Sequence, residues 1–90
     1  MTTYASIWDA LADTPGKAAN MTVRAELLRK LQTLVRAAGW TQDEAAQRCG
    51  ITQPRMNDLL RGRISKFSLD ALVNIATALG QRVHLQLDAA

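Results

Sequence analysis

The sequence is short of the residues that catalysis and covalent cross-linking need. Cys49 is the only cysteine among 90 residues, so no intrachain disulfide can form and a cysteine-based zinc cluster is excluded. His84 is the only histidine, with no second nucleophile or spaced carboxylate pair to assist it. The carboxylates are scattered, and several, Glu44 and Asp70 among them, fall where helix caps or first turns are expected. There is no metal-ligand set and no glycine-rich phosphate loop, so neither an enzyme nor a cofactor is expected. No segment approaches the length needed to span a membrane, and the N-terminus lacks the basic start and long apolar run of a signal peptide. The expectation is a cytoplasmic protein with no membrane partner.

What is present fits one small domain with a modest core. A chain of this size buries a small share of its surface, so association with a second copy would help it. Its formal charge of +3 is unevenly spread. Residues 21–66 hold nine Lys/Arg against four Asp/Glu, whereas the segments before and after each carry an excess of one acid. A basic middle between slightly acidic ends suits a polyanion bound at the middle, although a solvated charged face has the same composition.

"SIWDALAD" (residues 6–13) predicts a short helix capped by Ser6, with Ile7, Trp8 and Leu11 on one side. In "TPGKAAN", Thr14 is placed as an N-cap and Pro15 at the first helical position, where its missing N–H costs nothing. From about Met21 to Ala38 the period is helical. Leu27, Leu28, Leu31, Leu34, Val35 and Ala38 form one stripe, with Arg29, Lys30, Gln32 and Arg36 on the other side. Gly39 ends this helix. Thr41 and Glu44 have capping-box spacing, and Trp40 is placed to staple onto Ala45. That helix stops near Cys49-Gly50, where Cys49 suits a small core position. Thr52 caps the next helix, with Pro54 in its first turn and Gly62 closing it after Arg61. Ser68 caps the last helix, and Phe67 and Leu72 are spaced for a staple. Leu69, Leu72, Val73, Ala76 and Leu79 line its apolar side, and Gly80 ends it.

Two short capped helices joined by Cys49-Gly50-Ile51 have the form of a helix-turn-helix. Ala46 is small where the helices cross, Gly50 permits a left-handed turn, and Ile51, Met56 and Leu59 hold the second helix to the bundle. Thr52, Gln53, Arg55, Asn57, Asp58 and Arg61 are left exposed. Gln and Asn suit adenine edges, and Arg suits guanine. Thr41 and Gln42 sit at one helix N-terminus and Thr52 and Gln53 at another, where phosphates are attracted. Arg61, Arg63 and Lys66 follow the helix and are positioned for the backbone. The DNA-binding set expected is therefore Thr41, Gln42, Thr52, Gln53, Arg55, Asn57, Arg61, Arg63 and Lys66.

"WTQDEAAQRCGITQPRMNDLLRGR" resembles the Xre/Cro-type helix-turn-helix, matching it at Thr41, Gln42, Ala46, Gly50, Ile51, Thr52, Gln53, Met56, Leu59 and Gly62. The resemblance implies that Gln42 and Gln53 meet near a phosphate and a base edge, and that Arg55 and Asn57 face the groove. Pro54 departs from the pattern by replacing a side chain that often donates to DNA. Ala45 departs from it by replacing a larger aliphatic residue. The flanking "IWDALADTPGKAANMTVRAELLRKL" and "FSLDALVNIATALGQRVHLQL" are similar to compact HigA-type antitoxins. That resemblance implies a dimer that represses its own operon and neutralises a RelE/HigB-like, mRNA-cleaving toxin.

The tail changes period. "QRVHLQLD" places Val83, Leu85 and Leu87 on one side and Arg82, His84 and Gln86 on the other, which predicts a strand with no partner in the same chain. Pairing with the same strand of a second copy completes it, giving a homodimer through Leu72, Val83, Leu85 and Leu87. The fold expected is all-α, a lambda-repressor-like five-helix bundle followed by that strand. Residues 1–20 form an N-terminal helical extension, 21–80 the DNA-binding domain and 81–90 the dimerisation strand. The extension suits either a basic partner or the small core. The function expected is a repressor of double-stranded operator DNA that acts as an antitoxin. The alternatives are a phage-type repressor without a toxin, and a module whose helical hairpin docks protein instead of DNA.

Overall fold

The computed structural model describes residues 14–89, and these form four α-helices and one short 3-10 turn. In chain order they are α1 (Pro15–Ala38), α2 (Gln42–Cys49), α3 (Gln53–Leu60), the 3-10 turn Ile64–Lys66, and α4 (Leu69–Ala78). All four α-helices begin at a hydroxyl cap. Thr14, Thr41, Thr52 and Ser68 accept from the backbone N–H groups of Lys17, Glu44, Arg55 and Ala71, at 3.1–3.3 Å. Each bond satisfies one of the donors that a helix start leaves without a partner. The capping box at Thr41 is half formed. The Glu44 carboxylate goes to Arg48 at 3.7 Å, one helical turn on, rather than back to the Thr41 N–H.

α1 carries the bundle. Its 24 residues run unbroken from Pro15, so position 20 lies inside the helix. Leu28, Leu31 and Val35 are its buried residues, and they meet Ala45, Ala46 and Cys49 of α2, Met56 and Leu59 of α3, Phe67, and Leu72, Ile75 and Ala76 of α4 in one core. Phe67, Leu31, Met56, Leu59, Leu72 and Ile75 are the largest side chains almost wholly removed from solvent. Burial of each contributes roughly 1.5–3 kcal/mol. Burial also pushes the Cys49 thiol pKa up, so the thiol stays protonated at neutral pH.

The apolar stripe expected on α1 divides into two. Leu28, Leu31 and Val35 are buried, but Leu27 is only half-buried and Leu34 remains 39% exposed. Leu27, which also packs against the core, and Leu34 join Val23, Leu69, Val73 and Val83 along an open groove of about 780 Å³ between α1, α4 and the tail. Leu72, expected in a dimer contact, is fully buried within the protomer, and Leu69, Val73 and Ala76 are the residues of its helix that line the groove.

Of the two expectations about the ends, one differs from what is observed. The helix expected over residues 6–13 lies outside the described residues, which hold the other four α-helices of the expected five. Residues 81–89 form no strand within the protomer. A strand exists only where its N–H and C=O groups meet a second one, and the described residues supply none. Leu85 and Leu87 are 82% and 95% exposed.

Candidate nucleic-acid interface

The sequence around α2 and α3 fixes how the second helix is presented. Gly50 takes φ +70°, and the N–H groups of Gly50 and Ile51 return to the carbonyls of Gln47 and Ala46 at 3.2 and 3.0 Å. These bonds close the end of α2 and turn the chain directly into Thr52, the cap of α3. Met56 and Leu59 anchor the inner side of α3, with Ala45 and Ala46 of α2 buried in the same core. The outer side is left to Thr52, Gln53, Pro54, Asn57 and Arg61, of which Asn57 is half-buried.

The structure brings several of the expected residues together. The Gln42 side chain donates to the Gln53 carbonyl at 3.3 Å, joining the exposed start of α2 to the start of α3. Thr41 and Thr52 stand at those two helix N-termini, where backbone N–H groups and the helix dipole favour an anion. Beyond α3, Gly62 adopts φ +72°, and Gly62 and Arg63 donate back to Leu59 and Asp58, each at 3.0 Å. The Arg63 guanidinium also pairs with the Asp58 carboxylate at 3.1 Å, tying the turn to the helix. This pair offsets a negative charge in the middle of the basic surface. Arg61 and Lys66 are exposed and make no side-chain hydrogen bond or ion pair among the described residues. Of the cations on and just after α3, these two are available to a phosphate.

Two arginines among the described residues lie over aromatic rings. Arg48 lies over the Trp40 ring at 5.1 Å while pairing with Glu44. Arg55, expected to face the groove, is half-buried; its guanidinium lies over the Phe67 ring at 4.6 Å and donates to the Lys66 carbonyl at 2.9 Å.

Sequence reasoning missed how α1 supports this surface. Gln32 donates to the Leu59 carbonyl at 2.8 Å, and Arg36 to the Leu60 carbonyl at 2.8 Å. Gln32 adds a second bond to the Leu59 carbonyl, which also accepts from Gly62, and Arg36 takes the Leu60 carbonyl in the last turn and brings a positive charge to the negative end of the α3 dipole. Arg24 donates to the Phe67 carbonyl at 3.1 Å. The signal available was a polar face on α1 opposite its apolar stripe, which reads equally as solvated surface until the end of α3 is placed beside it.

A short α2, a turn closed by a left-handed glycine, and an α3 with one side in the core and the other in solvent define a helix-turn-helix, the architecture of DNA-binding regulators. A family model described as a helix-turn-helix domain matches residues 10–88, and the chain belongs to that family. No curated protein matches the chain. No helix among the described residues is long and apolar enough to cross a membrane.

Proposed function

We propose that the chain is a sequence-specific DNA-binding repressor that works as a homodimer and serves as the antitoxin of a toxin–antitoxin operon. The observation that carries the DNA-binding part is the pairing of an exposed α3 N-terminus, joined to α2 through Gln42 and Gln53, with the exposed cations Arg61 and Lys66. α3 enters the major groove, with Gln53 and Asn57 toward base edges. Thr41, Gln42, Thr52, Arg61, Arg63 and Lys66 lie toward the phosphates, and Arg55 sits at the rim of that surface.

The dimer reading rests on the open groove lined by Val23, Leu34, Leu69, Val73 and Val83, and on the exposed Leu85 and Leu87. A second copy whose tail pairs with this one would satisfy the backbone of residues 82–87 and cover those side chains. The two α3 helices would then sit about 34 Å apart, one turn of DNA. The antitoxin part rests on the resemblance of the flanking segments to HigA-type proteins, with a RelE/HigB-like toxin as the partner implied.

Two measurements test the parts separately. Affinity for the DNA upstream of the chain's own reading frame should fall linearly in log–log form as salt rises, with one unit of slope for roughly each phosphate contact. An interface made with protein would change little with salt. Tagging this chain and co-expressing the adjacent reading frame should yield a stoichiometric partner that is toxic when expressed alone. A clean homodimer with no partner would leave a stand-alone repressor.

A further inference from the structure

We propose that Arg55 is a positioning residue rather than a reader of bases. Its guanidinium holds the Arg63–Lys66 turn against α3 and so places the Lys66 side chain on a phosphate. The inference rests on the DNA-binding reading and assigns one residue within it.

Arg55 is the third residue of α3. To read guanine it would present its planar fork edge-on to O6 and N7 with two donors free. In this protein one terminal nitrogen of that fork donates to the Lys66 carbonyl at 2.9 Å, and its face lies 4.6 Å from the centre of the Phe67 ring. Phe67 is 1% exposed and belongs to the core, so the surface under Arg55 cannot follow it outward. Arg24, from α1, donates to the next carbonyl, that of Phe67, at 3.1 Å, and its Nε donates to Asn20 Oδ1 at 2.8 Å. Two guanidinium groups from two helices thus take consecutive carbonyls where the turn meets α4. Between them the Lys66 backbone is fixed, while its side chain stands exposed without a hydrogen-bond or ion-pair partner among the described residues. A cation on a fixed backbone loses less freedom on meeting a phosphate than one on a loose loop.

The test is a double-mutant cycle read on DNA. Binding of wild type, Arg55→Ala, Lys66→Ala and the double variant is measured against salt, and against every single-base variant of the best-bound duplex. The expected result has three parts. Arg55→Ala weakens binding by the same factor on every duplex, lowers the salt slope by about 1, and adds little to the loss caused by Lys66→Ala. Phe67→Leu, which keeps the apolar contact but removes the ring face, weakens binding with the same uniform profile. If Arg55→Ala does not fold, Phe67→Leu and Arg55→Gln are read in its place. A preference lost at one base pair makes Arg55 a reader and overturns the proposal. Losses from Arg55→Ala and Lys66→Ala that add in full make Arg55 a separate phosphate contact and overturn it too. Wild type that binds no duplex in a salt-dependent way overturns the DNA-binding reading itself, an outcome distinct from both.

Discussion

The turn between α2 and α3 and the tail after α4 both begin at a left-handed glycine, yet they end differently. At the first, Gly50 and Ile51 return their N–H groups to α2, Thr52 caps α3, and Gln42 reaches the Gln53 carbonyl. At the second, Gln81 donates to Ala76, and beyond it the tail makes one hydrogen bond among the described residues, from Gln86 to Asp88 at 3.5 Å. The first segment finds its partners within a few residues of itself. The second has an alternating pattern, exposed apolar side chains and an open groove beside it, the features that the proposed dimer would cover.

That comparison can be broken by mutation. Leu59→Ala, at a fully buried contact that holds α3 to the bundle, should cost about 2–5 kcal/mol in chemical denaturation. Gly50→Ala forces a side chain into φ +70° and should cost roughly 1–2 kcal/mol, with no atom crowding the new methyl group. Thr52→Ala removes the cap of α3 and should cost about 1 kcal/mol; no change in the melting midpoint would mean that the turn is held by α2 alone. Leu85→Asp should shift protomer stability by less than about 0.5 kcal/mol, because the side chain is 82% exposed. Its effect should fall on assembly instead. Sedimentation should show a monomer, and the dependence of melting temperature on protein concentration should vanish. A wild type that already sediments as a monomer would remove the dimer from the account.

The same contrast explains how much could be read in advance. Thr14, Thr41, Thr52 and Ser68 were legible as caps because a hydroxyl acts on a donor three residues away, and Gly39, Gly50, Gly62 and Gly80 were legible as helix ends for the same local reason. The buried set was legible where one residue meets one core, as with Cys49, Met56 and Leu59. It was less so on α1, where the stripe is shared between the core and the groove and its last residue, Ala38, is exposed. Gln32, Arg36 and Arg24 were not legible as supports for α3, since each reaches a carbonyl 24 to 43 residues away. Arg55 shows the limit most sharply. Its place in the motif suggests a groove contact, while Phe67, twelve positions on, supplies the ring that engages it.

The most direct test of the account is selection of bound duplexes from a random library by the wild-type chain. The account predicts enrichment of a pseudo-palindrome with two half-sites one helical turn apart, about 34 Å centre to centre. Enrichment of a single half-site would contradict the paired tails, and no enrichment over random sequence would contradict the reading of α3 as the element that recognises DNA.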